Sequence, residues 1–122
     1  MMLDALPAAV TARRYYRLVD ESDFAAVVGL FTPDCTYHRP GYDPIVGSFG
    51  LRRFFEEDQP IAGGRHDVTA IVADGDRIAV TGEFHGELRN GAPVDLKFAD
   101  FFELAPDGRF ARRDTFFYAP VV

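Results

Sequence analysis

Two spacings of apolar residues divide the chain. Through Pro60 they recur at helical intervals, and from His66 onward they alternate. Val10 to Val19 reads as a helix, with Val10, Tyr15, Leu18 and Val19 near helical spacing, and Pro7 suits its first turn or approach. Ser22 or Asp23 caps a second helix, Phe24 to Phe31, which Pro33 helps to stop. Cys35 to Arg39 is a short strand, followed by an irregular loop holding Pro40, Gly41, Pro44 and Gly47. Ser48 caps a third helix with Leu51, Phe54 and Phe55 on its apolar face, closed by Pro60 and the Gly63–Gly64 pair.

The alternating half predicts four strands joined by tight turns. His66 to Ala73 turns at Asp74-Gly75-Asp76, and Arg77 to Leu88 turns at Asn90-Gly91, a strong hairpin signal. Ala92 to Leu104 turns at Pro106-Asp107-Gly108 into the last strand, Arg109 to Tyr118. Helices first and an antiparallel meander afterwards is an α+β pattern. A curved sheet wrapped around N-terminal helices gives a cone, and its hollow is a natural small-molecule pocket.

The length of 122 residues suits a single domain over 1–122. A net charge of −6 with no basic run gives nucleic acid little purchase. The longest apolar run, Ala25 to Phe31, is too short to cross a bilayer. The chain start lacks the charged-then-apolar order of a signal peptide, so a cytoplasmic location is expected. Cys35, the single cysteine, allows no internal disulfide, and three scattered histidines offer no short metal-ligand motif. Twelve phenylalanines and five tyrosines supply aromatic carbon for a core or a pocket lining.

Candidate chemistry starts in KFADFFEL, residues 97–104. Alternation places Phe98, Asp100, Phe102 and Leu104 on one face, an apolar stripe with a carboxylate in it. Burial would favour the neutral acid, a hydrogen-bond donor able to stabilise a substrate oxyanion. The other reading pairs Asp100 with Arg113 on the following strand. Of Tyr15 and Tyr16, one is expected to face inward, where a phenol beside Asp100 would complete a two-donor site. In CTYHRPG, residues 35–41, Cys35, Tyr37 and Arg39 share one side and Thr36 and His38 the other. Pro40 and Gly41 make this strand end irregular enough to turn His38, a candidate general base, toward the pocket. Arg39 would hold an anion or form a rim salt bridge. Glu83 and His85 share a polar face that is either an acid/base pair or solvated surface. Neither face of the last strand is plainly core, so Phe116 or Phe117, together with Phe101 on the outer face of its own strand, suggests an aromatic patch buried in a homodimer.

RRYYRLVDESDFAAVVGLFTPDCTYHRPG, followed by PIVG, resembles the opening of the nuclear transport factor two-like superfamily, which includes steroid delta-isomerases and SnoaL-like polyketide cyclases. FADFFELAPDGRFARRDTFF is similar to its closing hairpin. The resemblance implies the cone-shaped α+β fold and places the isomerase oxyanion tyrosine on Tyr15 and its protonated aspartate on Asp100. In that isomerase pairing the carboxylic acid stays neutral and donates a hydrogen bond. The isomerase's catalytic aspartate falls on Arg39, which cannot abstract a proton. The base then moves to His38 or Glu83, or Asp100 pairs with Arg39 and becomes the base itself. Epoxide hydrolases of the superfamily resemble this chain in combining Asp and Arg, and their closing-strand aspartate resembles Asp114, one residue out of register.

The expected function is a small cofactor-independent isomerase or cyclase acting on a hydrophobic oxygenated molecule. Tyr15, His38 and Asp100 carry its chemistry, and Arg39, Tyr37, Phe54, Glu83, Phe98, Phe102 and Arg113 contact substrate. The rivals are a non-catalytic ligand-binding or dimerisation module and an epoxide hydrolase-type enzyme.

Overall fold

The change of spacing is where helices give way to sheet. A computed structural model describes residues 7–119. Helix α1 spans Pro7–Asp20 and α2 spans Phe24–Gly29; strand β1 follows at Phe31–His38 and the two-residue β2 at Ile45–Val46. Helix α3, Gly47–Arg53, runs into a π-helical turn over Phe54–Asp58. Four long strands complete the chain: β3 Ile61–Asp74, β4 Arg77–Leu88, β5 Pro93–Leu104 and β6 Phe110–Tyr118. The sheet order is β2-β1-β6-β5-β4-β3, all antiparallel except β1 against β6. The sheet is curved and open, and the helices fill its concave side in the α+β cone. Among the described residues no helix is long and apolar enough to cross a membrane.

Alternation predicts the core correctly on β4 and β5. Ile78, Val80 and Phe84 are buried together with Phe98, Asp100 and Phe102. The apolar face of α3, Leu51 with Phe54 and Phe55, is buried too. Asp23 is the residue that caps α2, accepting from the Ala26 amide at 3.3 Å.

Several boundaries differ from expectation. The second helix stops at Gly29, because the Leu30 carbonyl accepts from Phe110 N–H and Phe31 pairs with Phe110, starting β1 early. Pro33 lies inside β1 at its register irregularity, where a missing ladder donor is tolerated. Ser48 does not cap α3; the helix starts from extended Val46 without a side-chain cap. The π turn is closed by Gln59 N–H on Phe54 C=O, and Arg89 Nε donates to the Gln59 carbonyl. Gly63 and Gly64 do not end a helix but lie in β3, which begins at Ile61. Gly64 is needed there because β3 and β4 approach closely: a Cβ on it, at φ +156°, would stand 2.5 Å from the Phe84 ring. Register shifts at Ile61/Gly63 and Val68/Ala70 bend this end of the sheet around the helices.

Candidate functional site

Strand register assembles the centre of the cone. Asp100 on β5 stands opposite Thr115 on β6 and diagonal to Arg113, and the parallel β1–β6 pairing sets Tyr37 beside Arg113. Four hydrogen bonds converge on the Asp100 carboxylate. Arg113 donates Nε to Oδ1 at 3.1 Å and Nη2 to Oδ2 at 3.0 Å. Tyr16 donates to Oδ2 at 2.5 Å, and the Thr115 hydroxyl donates to Oδ1. Two donors on each oxygen make this the acceptor half of a bidentate ion pair. Asp100 is 0% exposed and Arg113 5%, so water screens neither. The pairing with Arg113 is therefore what the structure contains, and the neutral, donating Asp100 beside Tyr15 is corrected.

The tyrosine choice is corrected as well, since both rings are buried, packed edge to face with centroids 5.0 Å apart. Tyr16 takes the bond to Asp100. The hydroxyl oxygen of Tyr15 instead accepts a hydrogen bond from Arg113 Nη1. Burial raises the pKa of the Tyr15 phenol far above its ordinary value, against the opposing pull of Arg113. Burial, reinforced by the Asp100 charge, does the same for Tyr16. For Arg113 burial works against the charge, but the Asp100 carboxylate and the phenol oxygens overcome it and hold the pKa well above the usual arginine value. Both phenols stay protonated. With one lone pair taken by a guanidinium, Tyr15 keeps its own proton for an acceptor in the hollow.

That hollow is a cavity of about 40 Å³ whose wall includes Tyr15, Arg113, Arg39, Gln59 and His66. Its apolar wall comes from Phe24, Phe55 and Phe84. The volume suits a few ordered waters, whereas a drug-sized ligand fills a pocket of roughly 300–1,000 Å³. Binding thus requires a wall group to move. Arg39 is held by one hydrogen bond, Nη1 to the Tyr37 hydroxyl at 3.1 Å, and lies over the Phe54 and Phe117 rings at 5.3 and 5.2 Å. It does not pair with Asp100.

His66, expected as the start of a strand, supplies a further feature of the site. Asp20, the last residue of α1, accepts from the His66 backbone amide at 2.9 Å and lies 2.5 Å from its Nδ1. The ring is flanked by Phe84, Tyr16 and Phe98 with centroids 4.7–5.6 Å away. A carboxylate fixed on Nδ1 sets the tautomer and leaves Nε2 to exchange a proton.

Other expected residues fall elsewhere. His38 pairs in register with Asp114 on the outer face of the sheet, Nδ1 to Oδ1 2.9 Å, and does not turn into the cone. Glu83 also faces outward, 3.4 Å from His85 Nε2, in a group with Asp95 and Asp67. Side-chain alternation already separated both from the inward positions. Tyr37 and Phe54 reach the cavity through Arg39, while Phe98 and Phe102 pack in the core behind it.

The family profile of the SnoaL-like domain matches residues 12–113. A search of curated proteins finds no match. Among solved structures, the chain is similar to SalBIII, described as an epoxide hydrolase/cyclase-like enzyme in pyran ring formation in the polyether salinomycin. The TM-score is 0.82 at 24% identity, over 95% of this chain and 94% of that one. An NTF2-like protein of unknown function from Burkholderia pseudomallei gives 0.82 at 22%, over 92% and 91%. Another from Exiguobacterium gives 0.78 at 19%, over 90% and 99%.

Proposed function

Because the chain belongs to the SnoaL-like domain family, we propose that it is a small acid/base enzyme, of isomerase or cyclase type, acting on a hydrophobic oxygenated molecule. The single observation that carries this reading is that the Asp20–His66 pair and the Arg113-backed Tyr15 phenol line one aromatic cavity. His66 Nε2 removes a proton from carbon next to a substrate carbonyl. Tyr15 donates a hydrogen bond to the enolate oxygen that forms, with Arg113 polarising the phenol from behind. His66 then returns the proton at another carbon, which gives an isomer, or the enolate carbon attacks an internal carbonyl and the proton goes to the new alkoxide, which closes a ring. Either route conserves every atom of the substrate.

Epoxide opening is the second reading, supported by the likeness to SalBIII. There Tyr15 would protonate the departing epoxide oxygen while His66 deprotonates the attacking hydroxyl. The test is a screen of enolisable ketones and epoxy alcohols with wild type and His66→Gln. The reading expects turnover by wild type that His66→Gln abolishes. Equal turnover by both removes His66 from the mechanism, and oxygen from labelled water in the product identifies hydrolysis.

The outer face of the sheet supports a homodimer. Phe101 and Phe116 stack edge to face at 5.8 Å, and they are 49% and 56% exposed. With Tyr118 and Val72 they leave apolar carbon that a second copy would cover.

A further inference from the structure

We propose that Arg39 is a carboxylate-recognition site, so that the substrate is a hydrophobic monocarboxylic acid. This rests on the cavity being the binding site and names the class of molecule it takes. The charges around the cavity are otherwise matched. Arg113 is neutralised by Asp100, and Asp20 is engaged by His66. Arg39 has no carboxylate within salt-bridge distance among the described residues, whereas Arg52, Arg65, Arg77, Arg109 and Arg112 on the surface each hold one. Arg14, Arg17 and Arg89 also lack an ion pair but are exposed; in a chain of net charge −6, Arg39 is the half-buried guanidinium left without an acid among the described residues.

The geometry fits recognition rather than packing alone. Two ring faces, Phe54 and Phe117, support the guanidinium plane, which compensates part of the desolvation of the cation. One of five N–H donors is used, on Tyr37. The remaining fork suits the two oxygens of a carboxylate, and a single unneutralised cation matches a monoanion better than a doubly charged phosphate. A carboxylate on Arg39 would leave the apolar body of the ligand against Phe24, Phe55 and Phe84, with its carbonyl toward Tyr15.

The test compares two ligands of equal shape, 2-naphthoate and 2-naphthamide, by calorimetry and by chemical-shift perturbation at Tyr15 and His66. Wild type should bind naphthoate at least about tenfold more tightly than the amide. Arg39→Met should bring the two within about twofold, and Arg39→Lys should retain part of the preference. Unchanged thermal melting of Arg39→Met shows that the fold is intact, and the wild-type comparison stands even if that variant does not fold. No preference in wild type, including no binding of either ligand, or a preference that survives in Arg39→Met, overturns the proposal. Naphthamide binding that shifts Tyr15 and His66 without any preference for the acid overturns this inference alone and leaves the cavity reading standing.

Discussion

Replacing Asp100 by asparagine separates a salt-bridged carboxylate from a neutral acid. The substitution keeps the shape but removes the charge that faces Arg113, which is 5% exposed. It also turns one acceptor oxygen into an NH₂ donor. That group would meet donors already aimed at it, either Tyr16 O–H with Arg113 Nη2 or Thr115 O–H with Arg113 Nε. Breaking a buried pair by removing one partner costs about 3–5 kcal/mol. A domain's total stability is about 5–15 kcal/mol, so the loss is a large fraction of it. Urea unfolding at pH 7, followed by far-ultraviolet circular dichroism, should show the midpoint falling by about 2 M, given slopes of roughly 1–3 kcal/mol per molar. Adding Arg113→Met should cost less than the sum of the single losses, because the second change removes the charge that the first left unpaired. A loss below about 1 kcal/mol would refute the ion-pair account and restore a neutral Asp100.

The buried phenols set an alkaline limit. Their folded pKa values lie above the unfolded value of about 10, so the stability they confer is complete below pH 10. It falls as pH rises from there toward the folded values, by about 1.4 kcal/mol per pH unit for each tyrosine. Urea midpoints between pH 9 and 11 should fall less steeply in Tyr16→Phe, by one tyrosine's share; an unchanged slope would contradict the buried, protonated phenol. Light scattering after size exclusion should give about twice the chain mass of 13.6 kDa, and Phe101→Glu with Phe116→Glu should halve it. A monomeric wild type, or a double variant that stays dimeric, removes the interface from that face.

Alternation made the most important placement legible. A period of two set Asp100 inward and placed Arg113 and Thr115 on a shared face, which the β5–β6 register then brought together. It also placed His38 and Glu83 outward, and the expectation that an irregular strand end would turn His38 inward failed because β1 pairs with β6 through that residue. A parallel pairing between strands so far apart in sequence leaves no local signal. Helical spacing could not choose between Tyr15 and Tyr16, because α1 lies deep enough in the cone to bury both. The Asp20–His66 contact joins a helix end to a strand 46 residues later, and only tertiary structure reports it. Gly63 and Gly64 read as a helix stop, since a glycine such as Gly64, demanded by the close approach of two strands, looks the same in sequence as one that ends a helix.

The central claim is that one cavity holds a proton-moving histidine and a phenol that stabilises oxygen charge. Deuterium exchange at the α carbons of 2-tetralone, a hydrophobic enolisable ketone, followed by NMR in D₂O, tests it most directly. Wild type should accelerate exchange well above the buffer rate, with His66→Gln falling to that rate and Tyr15→Phe falling at least about tenfold. Exchange at the buffer rate with wild type, or acceleration that survives in His66→Gln, would contradict it.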